Sequence, residues 1–176
     1  MIILQTERLL LRTMTLDDDS FILNLLNSPS WIKYIGDRSV HTIDAAREYL
    51  TGKVLPNYEN FGFGFYLIER RKDHVAIGNC GLTLREGMDH VDIGYSLLDS
   101  YVGQGYAFEA AQAIVSHGFN VHKLDHIAAI TTADNHRSIH LLNKLGLDYH
   151  KMINLPGDNE ELMLFGINAS TEGSTQ

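Results

Sequence analysis

One cysteine, Cys80, stands in a chain of 176 residues, so no disulfide can close within it and no multi-cysteine zinc site can form. A reducing compartment follows, and the cytoplasm is the expected location. No apolar run approaches the roughly 18 residues of a membrane-spanning helix. The opening Met1-Ile2-Ile3-Leu4 turns polar at Gln5-Thr6-Glu7-Arg8, too short an apolar stretch for a signal-peptide core. No membrane partner is expected. Basic residues are also outnumbered: Lys plus Arg is 14, Asp plus Glu is 22, and the net charge is −8. Nucleic-acid binding needs a concentrated basic face, so no nucleic-acid partner is expected either. The acidic balance admits an amine-bearing partner without selecting one.

Hydrophobic residues make up 44% and charged residues 20%, the balance of an ordinary globular protein. The length fits a single domain, expected over residues 1–167. The small polar stretch 168–176 reads as a flexible C-terminal tail. Arg8–Thr13 reads as a strand. Thr15-Leu16-Asp17-Asp18-Asp19 looks like a helix entrance, with carboxylates at the positive end of the dipole, and Pro29 should close that helix. A second helix is expected from near Thr42. Phe63–Arg70, Val75–Leu84 and His90–Leu98 are apolar runs joined by short polar turns, hence an antiparallel meander. A glycine turn then opens a helix through about His117, with Gly118 and the polar Asn120 ending it. Strand His126–Thr132, helix Asn135–Leu145 and two closing strands, Leu147–Met152 and Glu161–Ile167, complete the pattern. The fold class is mixed α/β: a mostly antiparallel sheet with one crossover unit in its middle.

The strongest local signal is strand, then Gly103-Gln104-Gly105-Tyr106-Ala107, then helix. A helix start leaves about four backbone N–H groups unpaired and carries roughly half a positive charge. Glycines remove the Cβ atoms that would keep an anion away. Such a turn cradles a pyrophosphate, or it is only a tight connection. No Lys follows Gly105, which disfavours a P-loop. Phe108 stands where a dinucleotide fingerprint needs its third glycine.

Three runs resemble the GNAT acetyltransferase superfamily. They are Asp92-Ile93-Gly94-Tyr95-Ser96-Leu97-Leu98, then Val102-Gly103-Gln104-Gly105-Tyr106-Ala107-Phe108-Glu109-Ala110, then Asn135-His136-Arg137-Ser138 followed by Asn143-Lys144-Leu145-Gly146-Leu147. The opening Thr6-Glu7-Arg8-Leu9-Leu10-Leu11-Arg12 is similar to the RimJ/RimL-type branch, which acetylates N-terminal amines of ribosomal proteins. The resemblance spans about Gln5 to Ile167. It implies a GNAT-like sheet with helices on both faces and a central β-turn-α-β unit binding acetyl-CoA, with no metal. It implies that the amides of Val102, Gly103, Gln104, Gly105, Tyr106 and Ala107 hold the pyrophosphate. It further implies that the backbone of Ser96, Leu97 and Leu98 pairs with pantetheine, and that the Asn135 side chain bonds the same arm. Val102 stands where the superfamily usually has Gln or Arg, which leaves the amide contribution intact.

Acetyl transfer needs a deprotonated amine, a polarised thioester and a proton for the leaving thiolate. An α-amine with pKa about 7.7–8.0 is partly neutral at physiological pH, so a modest base suffices. Asp92 is the candidate base, acting through water; a solvated or ion-paired strand carboxylate is the structural alternative. The Ser96 N–H is the candidate oxyanion donor. Many superfamily members supply the acid as a Tyr seven residues after the Asn, which here is Leu142. Ser138 is the replacement that the branch uses, unless it and Asn135 merely cap the helix. His136 and His140, four apart, read as solvated helix surface, and Cys80 as packing. Trp31 and Tyr34 line an acceptor groove or pack. The expected acceptor is a protein N-terminus or a small-molecule amine such as a polyamine or aminoglycoside. A non-catalytic acyl-CoA sensor and a nucleotide-binding module are the competing classes. Monomer and homodimer are both compatible with the sequence.

Overall fold

The computed structural model describes residues 1–170. Its strands build one eight-stranded sheet in the order β1-β2-β3-β4-β5-β6-β8-β7. β1 (Ile2–Gln5), β2 (Leu9–Arg12), β3 (Phe65–Arg70), β4 (Ala76–Thr83) and β5 (Asp92–Leu97) run antiparallel in turn. β5 meets β6 (His126–Thr131) in parallel, and β8 (Leu162–Asn168) lies antiparallel between β6 and β7 (Asp148–Ile153). A parallel pair needs a crossover, and α5 (Tyr106–Asn120) supplies it. The mixed, mostly antiparallel α/β class is the one expected, and no helix among the described residues is long and apolar enough to cross a membrane.

Side chains alternate across a strand, so each strand feeds two layers. Tyr66, Ile68, Leu82 and Ile93 pack with Ala110, Ala111 and Ile114 of α5. The alanines let that helix lie close on the sheet. Leu67, between Tyr66 and Ile68, turns the other way. It joins a second core with Ile22, Leu25, Ala46 and Leu50. That layer holds α1 (Asp19–Leu26), α2 (Pro29–Tyr34), α3 (Ile43–Tyr49) and α4 (Leu55–Phe61). α6 (His136–Lys144) follows β6.

Local chemistry explains most of the boundaries. Thr15 caps a short 3-10 turn, and Asp18 returns the bond by accepting from the Thr15 N–H at 2.8 Å. Thr42 caps α3 by accepting from Ala45 N–H at 3.1 Å. Three expectations need correction. Pro29 does not stop α1, which ends at Leu26; it opens α2, where a missing N–H costs nothing. Of the two expected stops, Asn120 is the last residue of α5, but Gly118 does not end the helix and lies buried inside it. A Cβ there would stand 2.8 Å from Ile127 Cδ1, so glycine serves close packing rather than termination. Asn168 is not tail: it ends β8 opposite His126, and Ala169 N–H donates to Asp125 C=O at 2.9 Å. Residues 171–176 of the expected tail lie outside the described residues.

Candidate active site

Between β5 and α5 the chain makes a 3-10 turn at Asp99–Tyr101 and then crosses Val102 to Gly105. Gly103 and Gly105 have φ of 81° and 82°, left-handed values that favour glycine. The Val102 amide, expected in the cradle, instead donates to Asp99 C=O at 3.3 Å; for the consecutive amides from Gly103 to Phe108, no acceptor is found among the described residues. A Cβ on Gly103 would meet nothing within 4 Å, so a bulky anion can approach the backbone there. The turn is held from behind. Arg8 Nη1 donates to Gln104 C=O at 2.9 Å, and its guanidinium lies 4.5 Å from the Tyr106 ring centroid. Glu109 accepts from Thr6 Oγ1 at 2.6 Å, Arg8 N at 2.8 Å and Arg8 Nε at 2.6 Å. Burial works against the Glu109 carboxylate, but those hydrogen bonds prevail and its pKa is lowered. Glu109 is therefore a brace for the turn.

β5 is paired fully on one side only. Against β4 the register runs unbroken from Asp92–Thr83 to Leu97–Gly78. Against β6 a single pair, Asp92–Ala128, is made, with Ala128 N–H donating to Val91 C=O at 2.9 Å. Beyond it the strands part. Hydrogen-bonding direction alternates along a strand. Leu98 N–H donates to Ile77 C=O on the β4 side at 2.9 Å. Even-numbered residues of β5 thus turn their amides to β4, and Ile93, Tyr95 and Leu97 turn theirs to the gap. This sorts the expected pantetheine contacts. Leu97 faces the gap. The Ser96 amide, expected as a pantetheine contact and as the oxyanion donor, belongs to the β4 ladder and does not point there. Leu98 is engaged at both ends, its C=O accepting from Tyr101 N–H at 2.9 Å.

Across the gap stands α6. Asn135 caps it, its Oδ1 accepting from Ser138 N–H at 3.2 Å, which leaves Nδ2 without a partner among the described residues. Ser138 Oγ lies 2.9 Å from the hydroxyl of Tyr95, a contact bridging β5 and α6. Burial pushes the Tyr95 phenol up, against a smaller pull from Ser138. Leu142 is 1% exposed and belongs to the core, which fits an apolar residue at that position. The Tyr95–Ser138 pair escaped sequence reasoning: the Gly94-Tyr95 dipeptide was visible, its partner 43 residues away was not.

Asp92 has 0% exposure, and Arg85 Nε sits 2.9 and 3.1 Å from its two carboxylate oxygens. Burial pushes this carboxyl up, while the guanidinium draws it back. Its side chain and that of Ser96 share the β5 face under α1–α4. Arg85 is a second residue missed from sequence. Cys80 is fully buried and its thiol is pushed far up by burial, so it is not a nucleophile. Trp31 is buried in the second core, whereas the Tyr34 hydroxyl accepts from Lys33 Nζ at 3.0 Å. Among the described residues, no group of three or more His, Cys, Asp or Glu is arranged to hold a metal ion. A cavity of about 370 Å³ beside the turn is lined by Glu7, Arg8, Arg70, Arg71, Lys72 and Tyr106, but its arginines are engaged with the turn and with neighbouring carbonyls and carboxylates.

Residues 8–148 match the family model described as an acetyltransferase (GNAT) domain. The uncharacterized N-acetyltransferase p20 of Bacillus licheniformis is 32% identical over 143 residues, 81% of this chain and 80% of that one. Among solved structures, RimL, a ribosomal L7/L12 alpha-N-protein acetyltransferase in complex with coenzyme A, superposes with a TM-score of 0.81 at 19% identity, covering 96% of this chain and 98% of that one. A chimera of spermidine N-acetyltransferase SpeG from Vibrio cholerae gives 0.73 at 17%, covering 91% and 95%. The amide row, the one-sided β5 and a family match over most of its length lead to one conclusion: the chain belongs to the GNAT acetyltransferase family and is an acetyl-CoA-dependent N-acetyltransferase.

Proposed function

We propose that the acceptor is the N-terminal α-amine of a protein or peptide, acetylated by direct attack in a ternary complex. Bound to the chain, acetyl-CoA supplies an acetyl thioester. The amides from Gly103 to Phe108 hold its diphosphate without any basic side chain. The free β5 edge at Tyr95 and Leu97 takes the pantetheine arm as an added strand, and Asn135 Nδ2 donates to the same arm. The amine nitrogen bonds to the acetyl carbon, the C–S bond breaks, and one proton passes, in net, from amine to thiol. Ser138, hydrogen-bonded to Tyr95, is the hydroxyl that delivers it. An α-amine is partly neutral near pH 7, so no strong base is required. Asp92, enclosed under Arg85, is assigned to orienting that arginine rather than to removing a proton.

The amide row carries the cofactor reading, and the opening Thr6-Glu7-Arg8-Leu9 run supports the peptide acceptor. The fold likeness extends to both a ribosomal-protein and a spermidine acetyltransferase, so the acceptor has to be tested directly. Calorimetry should give tight binding of CoA and none of NAD or ATP. Mass spectrometry of ribosomal proteins from a strain lacking the gene should then reveal a missing N-terminal acetyl group. An unchanged set of N-termini counts against a ribosomal acceptor.

A further inference from the structure

The face of β5 under α1–α4 carries polar groups that the fold leaves unused. Asn79 stands opposite Ser96 in the β4–β5 register, so the two side chains are neighbours on that face. Asn79 is 6% exposed, and its Oδ1 is buried with no hydrogen-bond partner. Its amide nitrogen likewise finds none among the described residues, so the conclusion holds whichever way the carboxamide is turned. The Ser96 hydroxyl is also without a partner there. Buried polar groups are almost always paired, so the free Asn79 carboxamide, next to the half-buried Ser96 hydroxyl, implies a ligand.

The charges around this pair favour one sign. Arg85 spends only Nε on Asp92, leaving both Nη atoms without a partner among the described residues. Nη2 lies 3.9 Å from where a Cβ on Gly94 would stand, between Asp92 and Ser96 along the strand. Tyr49 of α3 faces the same side. Burial raises its phenol, while Arg38 and Arg85 pull it down. Among the described residues the buried carboxylates are already matched: Asp18 with Arg12, Asp19 with Arg47, and Asp92 with Arg85. None of them is free to receive a second ammonium.

We infer that Asn79, Ser96 and Arg85 form an acceptor subsite that selects an amine standing next to a carbonyl or carboxylate, an α-aminoacyl group, and rejects polyamines. Asn79 Oδ1 and Ser96 Oγ accept hydrogen bonds from the attacking amine. The free fork of Arg85 reads the adjoining carbonyl or carboxylate. A polyamine would bring a second cation against Arg85. This rests on the reading of the chain as a transferase to amines, and it narrows the substrate class within that reading.

The test measures thiol release from acetyl-CoA with four acceptors: a tripeptide amide, free alanine, spermidine and propylamine. The expected kcat/KM for the tripeptide or for alanine exceeds that for spermidine by about 100-fold or more, in line with one repelled and one unpaired group. The better of the first two identifies the source of the α-aminoacyl group. Asn79→Leu, which fills the same space without polar atoms, should raise acceptor KM at least about tenfold. It should leave the melting temperature and the KM for acetyl-CoA unchanged. Arg85→Lys, which keeps the charge beside Asp92 but loses the fork, should lower the preference for tripeptide over propylamine. Spermidine turning over as well as the tripeptide, or Asn79→Leu with unaltered acceptor KM, overturns the subsite. Failure of all four amines counts against the peptide-amine reading instead. The subsite is then judged by calorimetry of tripeptide against spermidine on the CoA-saturated protein, where equal or absent binding of the tripeptide overturns it.

Discussion

The two layers flanking β5 solve their binding problems with different materials. On the α5 side the proposed cofactor cradle is backbone: consecutive amides from Gly103 to Phe108, two left-handed glycines, and the gap-facing edge of β5. On the α1–α4 side the free groups are side chains, Asn79, Ser96 and Arg85, aligned by cross-strand register. A backbone site tolerates almost any residue that keeps its conformation. A side-chain site changes specificity with a single substitution. One domain can therefore keep its cofactor while its acceptor varies, with the Tyr95–Ser138 contact at the seam between the two.

The largest effect should come from breaking the backbone side. Gly103→Val puts a branched side chain where φ is 81° and where the cradle is open. Losing two hydrogen bonds to a charged group, at about 1.5–3 kcal/mol each, weakens CoA binding on the order of 1000-fold. Calorimetry reads this directly. A loss below tenfold would mean that side chains, not amides, carry the diphosphate.

At the seam, Ser138→Ala should lower kcat about 100-fold, at the low end for general acid catalysis because a thiolate leaves readily. The KM for acetyl-CoA should not change. Tyr95→Phe removes only the supporting hydroxyl and should lower kcat about tenfold, the worth of one neutral hydrogen bond. Acetyl thioesters of more acidic thiols should rescue both variants. Rescue of neither would assign the pair to structure alone.

These same positions mark what the sequence made legible. The glycine turn was readable because its signal is local: glycines, then small apolar residues at helical spacing. Ser96, Leu97 and Leu98 were assigned to the gap together by the resemblance alone, and singling out Leu97 required knowing which way β5 is paired. Asn79 facing Ser96 depends on the length of the β4–β5 connection, and Tyr95 meeting Ser138 depends on the whole crossover. No local pattern carries either. Pro29 and Gly118 misled because each residue has two meanings. Proline ends one helix or starts another, and glycine ends a helix or lets a neighbour close in. β1 had no alternation to announce it, being a four-residue edge strand.

The side-chain layer breaks next. Asp92→Asn removes the charge under Arg85 and leaves a partly buried guanidinium unmatched, at a cost of about 3 kcal/mol. In a chain of this size that lowers the melting temperature by about 6–12 °C. CoA affinity should be untouched, because the amide row shares no group with this pair. Activity that survives on the α-amine acceptor, once corrected for folded protein, would support Arg85 positioning; complete loss would restore Asp92 as the base.

The smallest effect separates the two layers by pH. At the far end of α5, His117 and His122 pack edge to face with ring centroids 4.9 Å apart, and Phe63 lies 5.2 Å from His122. Burial lowers both imidazoles below their usual 6.5, and His122 lowers His117 further. Between the unfolded and folded values the unfolded chain binds more protons. Their stabilisation is thus complete above about pH 6.5 and is lost as pH falls through the folded values. In the α1 layer, burial opposes Asp18 but Arg12 and Thr15 prevail, and Asp19 is held down chiefly by Arg47. Their stabilisation is complete above the ordinary aspartate value of 3.8 and is lost only below it. Hydrogen exchange at pH 7.5, 5.5 and 3.5 should show the C-terminal turn of α5 loosening in the first interval and α1 only in the second. A His117→Gln/His122→Gln chain should lose the first step and keep the second. Simultaneous loosening of both layers would mean that the two cores titrate as one cooperative unit, with no separate acid sensitivity on either face.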